Sequence, residues 1–253
     1  YGVLVGISAT YVALFVLFGS FVLKTGAGDF FSNLARAIAG GTRGGPAKIA
    51  VLSSACFGTV SGSAVANVYA TGSFTIPMMK RLGYRAEFAG AVEAAASTGG
   101  QLMPPVMGAG AFVMAQTLGI EYVTVALKAA LSAILYFFAI GMMVHFRALK
   151  RGLSGEPKEL LPKLSHVLMN AHPFIPIITL FYLLIAGYSA LMAGFGSTVL
   201  AVAVSYIRKD TMMTPKKIID ALVTGAKNTV MVAIALVGAQ MIVAVVTYTG
   251  LAL

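Results

Sequence analysis

The sequence is short of charge. Only 10% of its 253 residues are Asp, Glu, Lys or Arg, and eight of those are acidic, whereas 58% are hydrophobic. That scarcity leaves uncharged runs long enough to cross a hydrocarbon core of about 30 Å, which takes about 20 helical residues. The single cysteine, Cys56, lies inside an apolar run and supports neither a disulfide framework nor a metal site. The three histidines, His145, His166 and His172, fall at span ends or in a basic loop, which suits solvated or interfacial roles. No GxxxxGK[ST] run occurs, and "GTVSGSA" lacks both the GxSxG spacing and an intramembrane histidine to activate a serine. ATP-driven transport and intramembrane proteolysis therefore recede, and the chain is read as no enzyme and as needing no organic cofactor. Period-two alternation is missing too, which excludes a closed β-barrel and leaves helices as the spanning elements. Residue 1 is a tyrosine already inside an apolar run, so no signal peptide is read there and a longer polypeptide is expected.

What is present points to an all-α polytopic membrane protein. The net charge of +10 sits in short loops between apolar runs, where it orients helices in lipid, so nucleic acid is a poor partner. A first span is expected over Tyr1 to Leu23, ended by Lys24. An interfacial arm helix follows in "GDFFSNLARAIAG", with Phe30, Phe31, Leu34 and Ile38 on one face. Ile49 to Met79 is an uncharged stretch of 31 residues, and eight of the eleven residues from Phe57 to Asn67 are Gly, Ala, Ser, Thr or Asn. That soft centre divides it into halves of about a dozen residues, which suggests a re-entrant hairpin. Tyr84 to Leu118 contains "STGGQLMPP", which cannot continue a helix and predicts a broken one. Tyr122 to His145 reads as a span, "RALKRGLSGEPKELLPKLSH" as a charged loop, and Pro173 to Ile207 as two spans meeting at "GYSAL". "RKDTMMTPKKIID" reads as a loop, and Asn228 to Thr249 as a last span.

If residues 49 to 79 enter and leave on one side, every basic residue except Lys128 falls on one face, which the positive-inside rule makes cytoplasmic. A single crossing would destroy that agreement by separating Lys48 from Lys80. "SFVLKTGAG" (20–28) also resembles "VAVVTYTGLA" (243–252), and by parity the copies point oppositely, which suggests inverted repeats.

Backbone that breaks its helix at membrane depth must be satisfied by protein, water or a ligand. Paired breaks supply carbonyls and hydroxyls for a cation and helix N-termini for an anion. The candidate binding residues are therefore Ser61, Gly62, Ser63 and Asn67 at the tip, with Thr98, Gly99, Gly100, Gln101, Pro104 and Pro105 at the break. A Na⁺ ion is expected near Ser61, Ser63 and Gly99. The competing reading makes Gly58 and Gly62 a small-xxx-small helix contact, with the serines bonding their own helix. Glu93, about two turns before the break, must be paired, protonated or facing water. It is a candidate coupling element that carries a proton or supports a Na⁺ site, unless it lies nearer the interface and only binds a structural donor.

The runs "GGPAKIAVLSSACFGTVSGSAVANV", "TGSFTIPMMKRLGYRAEFAGAVEAAASTGGQLMPPVMGAGAF" and "GISATYVALFVLFGSFVLKTGAGDFF" resemble the large membrane subunit of tripartite ATP-independent periplasmic (TRAP) transporters. The likeness is to the fused small-plus-large permease type associated with TAXI-class binding proteins. The resemblance implies an inverted-repeat, elevator-type ion-transporter fold with a re-entrant helical hairpin and a broken helix. It also implies secondary active uptake of organic acids driven by Na⁺ or H⁺ in the inner membrane, with a periplasmic substrate-binding protein and a small membrane subunit region as partners. By resemblance, residues 46–146 form half of the transport domain, with the hairpin at 46–80, the broken helix at 84–118 and a span at 122–146. Residues 1–45 and 165–253 are scaffold, and 147–164 is a cytoplasmic loop. The family's second hairpin would follow Leu253. The alternative from another class is a non-transporting membrane scaffold or assembly subunit.

Overall fold

The computed structural model describes residues 3–250. Tyr1 at the start of the expected first span, and Leu251 and Ala252 at the end of the expected repeat, lie outside the described residues. The described chain is helical, without strands. The first apolar helix runs from Leu4 to Ala39 and does not stop at Lys24. It comprises α1 (Val3–Ile7), α2 (Ala13–Val22) and α3 (Gly28–Ala39), joined by wider π-type turns. The second of these turns contains Gly26 at φ 88°, a left-handed conformation that glycine adopts without Cβ strain, and it redirects the arm. The arm buries Phe30, Phe31, Ala35 and Ala39, while Ile38 is 57% exposed. The expected apolar face is thus rotated by its last residue.

The soft stretch forms a helical hairpin of α4 (Gly45–Ser61) and α5 (Ala64–Arg81). Its arms have 17 and 18 residues rather than a dozen, because the helices also take in Gly45–Lys48 before the uncharged stretch and Lys80–Arg81 after it. The broken helix follows as α6 (Ala86–Gly99), a short 3₁₀ turn over Gly100–Leu102, an irregular stretch, and α7 (Ala109–Leu118). α8 (Tyr122–Arg151) extends past His145 until Gly152, at φ 63°, ends it. After the short α9 (Leu164–Leu168), α10 (Ile175–Ile185) and α11 (Ala190–Ser205) meet at the expected turn, where Ser189 accepts from the Met192 N–H as a cap. α12 (Pro215–Tyr248) starts well before Asn228. Thr214 caps it with Pro215 in the first turn, so part of the expected loop is helical.

Two main cores result. One joins α2 and α3 to α10, α11, the start of α8 and the hairpin tip through Phe15, Phe18, Phe31, Val60, Phe112 and Leu180. The other is internal to α4, α5, α6 and α8, and is built largely from Ala47, Ala50, Ala55, Ala89 and Ala96, whose small side chains let helices approach closely. Outer faces are apolar: Leu131, Ile134 and Phe138 on α8 and Ile234, Met241 and Ile242 on α12 are each at least 60% exposed. Water would not tolerate such a surface, but lipid does. Three helices, Leu4–Ala39, Tyr122–Arg151 and Pro215–Tyr248, are long and apolar enough to cross a membrane.

Candidate functional site

The hairpin turns at Gly62, φ 59°, between Ser61 and Ser63. Ser63 caps α5, its Oγ accepting from the Ala66 N–H at 3.3 Å, and Ser61 Oγ accepts from the Ser63 N–H at 3.3 Å. Both hydroxyls therefore already serve the turn.

Glycine sets how closely the hairpin meets the break. A Cβ on Gly62 would lie 1.9 Å from the Met107 carbonyl oxygen, and one on Gly58 would lie 2.4 Å from Gly100 Cα. Backbone touches backbone at both places. On the hairpin's other side, a Cβ on Gly19 of α2 would lie 2.1 Å from the Val60 carbonyl oxygen. Between the tip and helices α2 and α12 sits a cavity of about 70 Å³ lined by Ser61, Gly62, Ser63, Met107, Ser20 and Asn228 among others. Asn228, on α12, is a polar lining residue that sequence reasoning did not single out. It is distant in the chain, and no local pattern marks it.

The break divides its own residues between several surroundings. Gly100 meets Gly58 and Asn67, while Gly99 faces the Tyr136 and Phe137 rings of α8. The face of Gly99 that a side chain would occupy thus packs on α8, whereas that of Gly100 packs on the hairpin. Thr98 and Gln101 are exposed; the Thr98 hydroxyl donates to the Ala94 carbonyl at 2.8 Å. Pro104 and Pro105 are buried. The freed carbonyls of Pro105 and Val106 are reached by the Tyr122 hydroxyl at 2.6 and 2.8 Å, and Gly108 N–H donates to the Gln101 carbonyl at 2.8 Å. Protein groups thus satisfy these backbone atoms.

Glu93 is fully buried. Four hydroxyls surround its carboxyl group. Ser54 of α4 and Ser97 of α6 approach Oε1 at 3.3 and 3.2 Å; Thr71 of α5 also meets Oε1, and Thr75 meets Oε2, both closely. Asn67, also fully buried, donates from Nδ2 to the Ser54 carbonyl at 2.9 Å, and its Oδ1 lies 3.2 Å from Thr71 Oγ1. The sequence carried a signal for this cluster: Asn67, Thr71 and Thr75 recur every four residues on one face of α5, as Glu93 and Ser97 do on α6.

The match that decides the family covers residues 4–253, which fit the family model described as "Tripartite ATP-independent periplasmic transporter, DctM component". The chain belongs to this family. Its members are transporter permeases, which are not an enzyme class. The chain is 27% identical over 92% of its length to the uncharacterized protein y4mL of Sinorhizobium fredii, covering 56% of that protein. To the C4-dicarboxylate TRAP transporter large permease protein DctM of Pseudomonas aeruginosa it is 38% identical over 37% of the chain and 22% of that protein. To the sialic acid TRAP transporter large permease protein SiaM of Vibrio cholerae it is 29% identical over 58% of the chain and 34% of that protein. The TRAP chain thus covers about half the length of y4mL and less of the other two relatives.

Proposed function

We propose that the chain forms part of the permease of a secondary active, binding-protein-dependent transporter for organic acids, driven by a Na⁺ or H⁺ gradient and working by an elevator movement. One observation carries this reading: a hairpin and a broken helix are joined backbone to backbone at Gly58–Gly100 and Gly62–Met107, beside a core of their own. Such a pair moves as one piece and carries its tip with it. Arms of 17 and 18 residues reach about 26 Å at 1.5 Å per residue, short of a bilayer core of about 30 Å, which supports a re-entrant tip. The tip cavity against α2 and α12 then lies between the moving body, 46–146, and the scaffold, 1–45 and 165–253, with 147–164 as a cytoplasmic loop. Ser61, Ser63, Asn67, Gly100 and Asn228 are the groups this reading places nearest the ligand or a Na⁺ ion. Thr98 and Gln101 present an exposed polar edge to the half of the site that, by resemblance, lies beyond this chain.

The partners on this reading are a periplasmic substrate-binding protein of the TAXI type and a small membrane subunit region, fused or separate. The location is the inner membrane, with basic loops cytoplasmic. The relatives named for C4-dicarboxylate and sialic acid support an acidic substrate. The local capping roles of Ser61 and Ser63 favour the alternative, a non-transporting scaffold subunit. Uptake by the full-length protein, reconstituted with its cognate binding protein under imposed ion gradients, separates the two. Ser61→Ala, Ser63→Ala and Gln101→Ala should each lower uptake at least several-fold without loss of folded protein. Unchanged uptake and ion dependence in all three would remove the site, and no gradient-driven uptake of any organic acid would remove the permease.

A further inference from the structure

We propose that the cleft between α4 and α8 holds an acidic phospholipid of the leaflet next to the basic loops, its phosphate at Lys48 and His145 and one acyl chain along Leu52, Phe137 and Gly141. The cleft has a volume of about 480 Å³, against about 70 Å³ for the tip cavity. Helical spacing builds its walls: Lys48 and Leu52 lie one turn apart on α4, and Phe137, Gly141 and His145 follow at intervals of four residues on one face of α8. The two helices line it in opposite directions, since a Cβ on Gly44, at the start of α4, would lie 2.7 Å from the Ala148 Cβ near the end of α8. Lys48 and His145 therefore share one end, and the wall beyond them is apolar. From His145 to Phe137 the cleft runs about 12 Å at 1.5 Å per residue, which is most of one leaflet's share, about 15 Å, of the hydrocarbon core.

Three observations choose the occupant. The opening is of the lipid-facing kind: Phe138, which lines the cleft, and Leu135 and Met143 beside it on α8 are each more than half exposed. The polar end lacks partners. The His145 Nδ1 is buried without a hydrogen-bond partner, and among the described residues the Lys48 ammonium has the Thr42 hydroxyl at 3.2 Å and no ion pair. The charge is of one sign, for no Asp or Glu occurs from Phe30 to Ala86 or from Tyr122 to Gly155, the segments that supply the arm, the hairpin and α8. A phosphodiester placed between the two side chains satisfies both, and basic pockets between helices at the cytoplasmic surface hold acidic headgroups in this way. A choline headgroup brings a fixed cation that Lys48 repels. Gly141 keeps the floor open, because nothing lies within 4 Å of a Cβ placed there. Ala39, the last residue of the arm helix α3, also lines the cleft, so the lipid touches arm, hairpin and α8 together. The site requires only that the chain sit in a bilayer and does not rest on the permease reading.

The test uses the full-length protein in phosphatidylcholine nanodiscs that carry a trace of phosphatidylglycerol with a photoreactive diazirine in its chain or, in parallel, the same trace of diazirine phosphatidylcholine. Peptide mass spectrometry after illumination gives the glycerol-to-choline labelling ratio at Leu52 and residues 137–142, divided by that ratio over the rest of the protein. An excess of at least threefold is expected, lost in Lys48→Gln and kept in Lys48→Arg. Gly141→Leu fills the floor without meeting a neighbour and should cut labelling there by both probes at least threefold. Unlabelled phosphatidylglycerol should compete, whereas soluble glycerophosphate, which has the phosphate and no chains, should not. Equal labelling by the two probes in wild type would mean bulk lipid and overturn the proposal. So would an absence of labelling by either probe, which would put another part of the polypeptide in the cleft, and competition by glycerophosphate, which would make it a site for a free anion. An excess that survives Lys48→Gln would refute the headgroup contact. If Lys48→Gln proves poorly folded, undiminished labelling in Gly141→Leu would still overturn the chain site.

Discussion

Replacing Gly58 with alanine should destabilise the protein, whereas the same change at Gly90, one helix away, should not. Both glycines lie inside helices, α4 and α6, where alanine is favoured over glycine by about 0.8–1 kcal/mol. Nothing lies within 4 Å of a Cβ placed on Gly90, so that gain stands alone. At Gly58 the added carbon would be 2.4 Å from Gly100 Cα and 3.0 Å from its carbonyl oxygen. Carbon atoms rest at about 3.5–4.0 Å, so α4 and the break must separate by about 1 Å. The obstacle is backbone, which no rotamer change relieves, and overpacking of this kind costs about 1–3 kcal/mol. The net expectation is a loss of up to about 2 kcal/mol for Gly58→Ala and a gain of up to about 1 kcal/mol for Gly90→Ala. Thermal unfolding of the full-length protein in lipid nanodiscs, followed by circular dichroism, reads the sign directly. A Gly58→Ala midpoint at or above wild type, or two variants that move together, would refute the close approach of hairpin and break.

Tyr122→Phe removes the hydroxyl that reaches the Pro105 and Val106 carbonyls, which should cost about 1–3 kcal/mol. Hydrogen exchange at the Met103, Met107 and Gly108 amides should speed up, and unchanged protection would show that the break needs no such support. Arg36→Ala loses the 3.2 Å ion pair with Glu156 and the bond to the Leu160 carbonyl. Because the guanidinium is partly exposed, the unfolding midpoint should move little, by the equivalent of about 0–1 kcal/mol. Proteolysis within residues 152–163 should nevertheless quicken severalfold, and an unaltered cleavage rate would mean the loop is held by other contacts.

The breaks were legible in the sequence because glycine, proline and small hydroxyl residues act locally: Gly62 ends α4 and Ser63 starts α5 by their own backbone preferences. The lack of charge selected a membrane, and the glycine-rich and proline-rich runs between Gly44 and Phe112 pointed to the TRAP permease family through residues that the family model also covers. Helix ends were less legible, since α12 begins at Pro215 inside what reads as a polar loop. Composition marks solvation there, whereas a Thr-Pro cap marks structure. Partners on other helices were not legible. Only the packing of α4, α5, α6 and α8 shows that Glu93 meets Ser54, Thr71 and Thr75, that Tyr122 closes the break, and that Gly99 turns to α8 while Gly100 turns to the hairpin. The physical reason is range: a residue's backbone preference is written in its own side chain, but its partner lies on another helix, and which helix stands opposite is settled by how the small faces of α4, α5 and α6 fit together.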